Sequence, residues 1–145
     1  MYKRILLAYD GSASGQQALL ECHGIAQWSQ SELTLIAVMQ FPLSGITLEG
    51  GIYDEALQES EKDRYHAILA QGLRKLADAG VTARGELVIG DAVNEITRCA
   101  ERVQADLIVV GHKHLNGWAA RWWHGSVSKA LIELAPCSVL VVITH

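Results

Sequence analysis

Between Val109 and Lys129 the chain reads VVGHKHLNGWAARWWHGSVSK, a stretch better suited to holding a phosphate than to breaking a bond. Gly111 closes an apolar run, and Gly125-Ser126 opens a segment whose pattern predicts a helix. Glycine lets the backbone approach an anion closely, the free N–H groups of a helix start point at it, and the hydroxyls of Ser126 and Ser128 add further donors. The plainer alternative is that Gly125-Ser126 is only a helix cap. His112, Lys113, His114, Arg121 and His124 crowd the same stretch, either to meet phosphate oxygens or as solvated loop charges. The three histidines make a poor metal site, because i, i+2 spacing on a loop without a carboxylate defines no coordination geometry. A second turn, Asp10-Gly11-Ser12, ends the first apolar run; an Asp-Gly pair is also an ordinary turn former.

Little else is equipped for catalysis. There is no nucleophile elbow, no H-E-x-x-H, no G-x-x-x-x-G-K-[ST], and no G-x-G-x-x-G after the first strand; Gly11 and Gly15 alone are no dinucleotide fingerprint. No carboxylate in the phosphate-suited stretch is an evident base for an attacking water, so no catalytic residue is assigned. The most that is expected is slow hydrolysis of a bound triphosphate.

The elements that must position these residues alternate in type. KRILLAYD, from Lys3 to Asp10, is a short apolar run of the kind buried on both faces of a sheet. Ser12 or Ser14 can cap a helix carrying Ala18, Leu19, Cys22, Ile25 and Ala26. ELTLIAVMQ, from Glu32 to Gln40, predicts a second strand, and the stretch from Phe41 to Ile52 a loop. Tyr53 to Ala79 predicts a long helix with Ala56, Leu57, Ala67, Ile68, Leu69, Leu73, Leu76 and Ala77 on one face, stopped by Gly80. A strand from Thr82 to Ile89, a helix capped by Asp91, a strand from Ala105 to Gly111, a loop over 112–124, a helix from Ser126 to Leu134 and a strand from Ser138 to Thr144 complete the series. Such alternation requires crossover connections. The expected fold is α/β: an open, five-stranded, mainly parallel twisted sheet with helices on both faces, a Rossmann-like three-layer sandwich. In such a sheet ligands bind beyond the carboxyl ends of the strands, near the switch in strand order, where the Asp10 turn and Gly111 both fall.

The 145 residues are half hydrophobic and a fifth charged, with no internal repeat or linker, so residues 1–145 are expected to form one domain. A net charge of -4 argues against nucleic acid and against an acidic membrane surface. The start lacks a signal-peptide cleavage site, and no stretch approaches a membrane span. Cys22, Cys99 and Cys137 are odd in number and widely spaced, which suits reduced, buried thiols of a cytoplasmic protein better than a disulfide framework or a zinc site. Trp118, Trp122 and Trp123 are unfavourable to leave in water and must pack on the domain itself, on a partner, or on a ligand base.

Taken together, LLAYDGS at the end of the first strand, Gly90 before a helix, DLIVVG, GS-V-S and APCSVLVV resemble the universal stress protein family, in the right order and over essentially the whole chain. In nucleotide-binding members the pattern is Gly, two residues, Gly, nine residues, then Gly and Ser or Thr. The resemblance implies that Gly111, Gly125, Ser126, Val127 and Ser128 carry the phosphates of ATP or AMP, with Mg2+ entering through those phosphates. It places Asp10 beside the adenine and ribose, and Val38 where backbone groups after the second strand meet the base. The chain departs from the pattern at the second glycine, which is His114, and in its loop, where Leu115 to His124 gives ten intervening residues. Two functions therefore stand open: a nucleotide-binding stress or signalling switch, and a nucleotide-free interaction protein of the same fold. A hydrolase or transferase is a weaker third. The last strand is apolar and unprotected for a sheet edge, and the resemblance also implies a homodimer through it. The protein partner is not named by the sequence.

Overall fold

The apolar runs read above become the strands of one sheet. The computed structural model describes residues 1–40, 55–113 and 127–144. Among the described residues nine elements follow in order: β1 (Arg4–Ala8), α1 (Ala13–Ser29), β2 (Glu32–Met39), α2 (Glu55–Asp78), β3 (Ala83–Ile89), α3 (Ala92–Val103), β4 (Leu107–Lys113), α4 (Val127–Leu134) and β5 (Ser138–Thr144). The strand order is β3-β2-β1-β4-β5, and all four neighbouring pairs are parallel.

Alternation along the strands divides the core into two layers. Ile5, Leu7 and Tyr9 face α1 and α2, packing with Leu19, Cys22, Leu69 and Leu76. Leu6, Ile36, Ile108 and Val110 face α3 and α4, packing with Ile96, Cys99 and Leu131. Both faces of β1 are thus dry, as its unbroken apolar run requires. Ser12 is the cap of α1, accepting from the Gly15 N–H, and Asp91 the cap of α3, accepting from Asn94.

Three readings of the sequence are corrected. β4 runs on to Lys113 because β5 continues to pair with it, His112 opposite Ile143 and Lys113 opposite Thr144, so His112 and Lys113 belong to a strand and not to a loop. On α2, Leu57, Ala67 and Ala77 are exposed. The inward face is Tyr65, Ile68, Leu69, Gly72, Leu73 and Leu76, with Gly72 at its centre because a Cβ there would lie 2.7 Å from the Tyr9 ring and 2.8 Å from Leu35. Cys22 and Cys99 are buried, whereas Cys137 is only half-buried; burial pushes the Cys22 thiol up to about 12.

The two sheet edges differ in charge. β3 carries Arg84 and Glu86, and Arg102 of α3 grips both Glu86 carboxylate oxygens, one at 2.7 Å. β5, SVLVVIT, carries no charge.

Two outcomes are expected. The hydrogen bonds from Arg102 hold the Glu86 carboxyl below the usual carboxylate range, so the pair contributes stability at neutral pH that is lost as pH falls through the lowered value. Solvent screens the pair, so Arg102→Met should cost about 0.5–1 kcal/mol at pH 7 and progressively less towards pH 3 in urea titrations. A pH-independent difference would contradict this assignment. The Tyr9 hydroxyl is buried with no hydrogen-bond partner among the described residues, so Tyr9→Phe should melt at the same temperature or higher. A clear loss of stability would reveal a partner.

Candidate functional site

Strand order reverses between β1 and β4, and in such a sheet the carboxyl edge at this switch is where a ligand cleft is expected. Register places the candidate residues in a row. Ala8 pairs with Ile36 of β2 and with Val110 of β4. Two residues further along the chain stand Asp10, just past the end of β1, Val38 in β2 and His112 in β4. Ala8, Val38, Val110 and Val127 pack in the α3/α4 layer, so alternation along β4 puts His112 on the same side as the start of α4.

The turn after β1 is held by its own side chains. Asp10 Oδ1 accepts from the Ser12 N–H at 3.0 Å and from the Ser12 hydroxyl at 2.6 Å, while Ser12 Oγ accepts from the Gly15 N–H at 3.1 Å. Gly11 takes φ +78°, a left-handed conformation natural to glycine, and a Cβ there would lie 3.0 Å from Ile68 of α2. At Gly15 a Cβ would fall 2.6 Å from Asp10 Oδ1. One carboxylate oxygen of Asp10 is thus committed to the turn. Among the described residues its Oδ2 has no partner, leaving an exposed acceptor at the cleft.

Gly111 meets a different demand from the one its sequence context suggested. A Cβ there would overlap the Ser14 carbonyl and come within 2.8 Å of the Gly15 nitrogen, so this glycine allows the backbone of α1 to lie directly on β4. Next to it, the His112 Nδ1 and the Ser128 hydroxyl are hydrogen-bonded at 3.1 Å, tying β4 to the first turn of α4. Ser128 is buried and His112 half-buried.

Asp10, Gly11, Ser12, Val38, Gly111, His112, Val127 and Ser128 are accordingly brought to one edge. His114, Leu115, Gly117, Trp118, Arg121, Trp122, Trp123, His124, Gly125 and Ser126 lie outside the described residues. Among those described, no group of three or more His, Cys, Asp or Glu side chains is placed to hold a metal. The sequence offered Ser14 only as an alternative cap and Gly15 only as no part of a fingerprint, and Gln16 was missed; all three shape the turn, through backbone contacts and a side-chain amide. The only trace of Gly15 in the sequence was its type, since glycine early in a helix calls for a close neighbour.

The universal stress protein family model matches residues 1–142. A protein of Staphylococcus epidermidis described as a universal stress protein is 35% identical over 147 residues, covering 99% of this chain and 86% of that protein. Among solved structures, a universal stress protein in complex with cAMP superposes with a TM-score of 0.71 at 24% identity, over 99% of this chain and 97% of the other. An Arabidopsis thaliana family protein with AMP bound gives 0.73 at 19% identity, over 99% and 92%.

Since the α1 backbone leaves no room for a Cβ at position 111, Gly111→Ala should destabilise the protein by about 1–3 kcal/mol, the usual range for overpacking. Chemical denaturation measures this directly. A neutral result would mean that α1 can withdraw from β4 at no cost.

Proposed function

The chain belongs to the universal stress protein family, and on that premise we propose that it binds an adenine nucleotide, ATP or AMP, across the cleft between β1 and β4, acting as a stress-response or signalling switch. The observation that carries this reading is the Asp10 turn, which fixes one carboxylate oxygen internally and leaves the other without a partner among the described residues, just past the end of β1, whose neighbours β2 and β4 carry Val38 and His112. An outward carboxylate oxygen accepts from ribose hydroxyls or an exocyclic amine, and the backbone at Val38 offers the base an edge. Gly11 and Ser12 complete the turn. The phosphates would lie towards Gly111, His112, Val127 and Ser128, with His114, Gly125 and Ser126 of the same motif, meeting the N–H groups at the start of α4. Mg2+ would arrive with a triphosphate, coordinated by the phosphates. Relatives in the same fold have been solved with cAMP and with AMP bound, which supports an adenine nucleotide.

The rest of the reading is proposed with it. No described helix is long and apolar enough to cross a membrane. We place the protein in the cytoplasm, as one domain over residues 1–145, without a nucleic-acid partner. The uncharged β5 edge, against the charged β3 edge, favours a homodimer through β5. Binding that prefers one arrangement of the dimer or one partner would make occupancy a signal. A nucleotide-free interaction role is the second reading, favoured by His114 where the family motif has glycine and by the longer loop after it.

Calorimetric titration of ATP and AMP into nucleotide-stripped protein, with and without magnesium, should give saturable binding at about micromolar Kd, roughly -8 kcal/mol. Gly125→Val should abolish it by filling the space a phosphate needs. Absence of heat and of any thermal shift at millimolar ligand would overturn the nucleotide reading in favour of the second. Light scattering on a sizing column should return twice the 15.8 kDa chain mass at micromolar concentration; a monomer would refute the β5 dimer.

A further inference from the structure

Resting on the nucleotide reading, we infer that Gln16 and Lys75 are positioning residues that set the aim of Asp10 from behind the turn. Lys75 on α2 donates from Nζ to Gln16 Oε1 at 2.8 Å, and Gln16 Nε2 donates to the Gly11 carbonyl at 3.2 Å. The logic is one of donors and acceptors. An ammonium group can only donate, so Lys75 decides which end of the Gln16 amide faces it and sends the NH2 end towards Gly11. Were the amide reversed, its oxygen would face the Gly11 carbonyl and repel it.

The Gly11–Ser12 peptide is thereby gripped at both ends. Gln16 holds its carbonyl, and Asp10 Oδ1 holds its N–H at 3.0 Å. This peptide follows a residue at φ +78°, a conformation in which glycine has several alternatives open to it. With the carbonyl released, the peptide can rotate and withdraw its N–H from Asp10. The carboxylate then loses one of the two bonds that fix its Oδ1 and, with it, the direction of its open Oδ2. Lys75 is exposed, and neither it nor Gln16 belongs to the row at the cleft, so their effect on a ligand passes through the turn. The relay couples α2 to a ligand seated beyond the carboxyl end of β1.

The test separates this relay from the nucleotide reading beneath it. In the ligand-free protein, hydrogen exchange at the Ser12 amide followed by NMR should accelerate in Lys75→Met, Gln16→Leu and Gln16→Glu. The last of these keeps a partner for Lys75 yet offers the Gly11 carbonyl no donor. Lys75→Arg should exchange like the wild type. In calorimetry, Lys75→Met and Gln16→Leu should each weaken AMP by about 3- to 10-fold, the loss of one such bond, and the double variant should be no worse than either single one. Gln16→Glu should weaken AMP while keeping the wild-type melting temperature, a split that a merely structural role would not produce. Unchanged Ser12 exchange in the variants overturns the relay whether or not nucleotide binds. Faster exchange with unchanged AMP affinity overturns the positioning role alone. Failure of the wild type itself to bind AMP brings down the nucleotide reading, and the positioning role with it, while the exchange rates still report on the relay.

Discussion

The close contact between α1 and β4 is what the carboxyl edge depends on. Gly111 lets the Ser14–Gly15 backbone rest directly on the strand, with no side chain between them. That contact fixes how far the first turn of α1 stands from β4, and hence how wide the cleft opens between the Asp10 turn on one side and His112 with Ser128 on the other. A larger residue at position 111 would push the helix start away and carry Ser12, Gly15 and the anchored oxygen of Asp10 with it. The hydrophobic layers then act as a frame. Leu19 and Cys22 seat α1 on the sheet, Ile96 and Leu131 seat α3 and α4 on the other side, and the strand ends between them carry Asp10, just past β1, and His112 of β4.

Much of this frame could be read in the sequence because its signals are local. The apolar runs of β1 and β2, the caps at Ser12 and Asp91, and the stop near Gly80 each depend on a few adjacent residues, and each lies where the pattern put it within a residue or two. The candidate row was legible only in part. Asp10 and Gly111 were visible as turn and strand-end residues, but which residues of β2 and β4 stand beside the end of β1 is a matter of register between strands distant in sequence. The end of β4 was misjudged for the same reason: His112 and Lys113 are polar, and they are strand only because β5 pairs with them. On α2 the inward face was misread because its central position is Gly72, which bears no apolar side chain to register in a hydrophobic pattern. Gln16 and Lys75 carried no signal, since both are ordinary helix residues whose meaning lies in what they face.

Buried polar groups are few, and they divide by role. The Tyr9 hydroxyl lies in the α1/α2 layer without a partner among the described residues, and burial, with the nearby Asp10 charge, pushes its ionisation up, so it stays a neutral phenol. Ser128, by contrast, is buried but bonded to His112. One is a residue of packing whose oxygen is incidental. The other spends its hydroxyl on joining a strand to a helix start. The same distinction separates the thiols: Cys22 and Cys99 are pushed upward by burial and behave as small hydrophobes, not as nucleophiles.

The unequal edges of the sheet have a bearing on how far association can run. A sheet whose two free edges were alike in character could add β5 of one molecule to β3 of the next, and the chain of additions would have no natural end, since head-to-tail contacts close only when geometry brings the last unit back to the first. Arg84 and the Glu86–Arg102 pair put charge on β3 that β5 lacks, so under the proposed β5 pairing β3 would be the poorer acceptor. A surface that meets only its own kind is used up in a single encounter. Charge on the far edge would then act as a terminator, separating a molecule that forms a finite complex from one that polymerises.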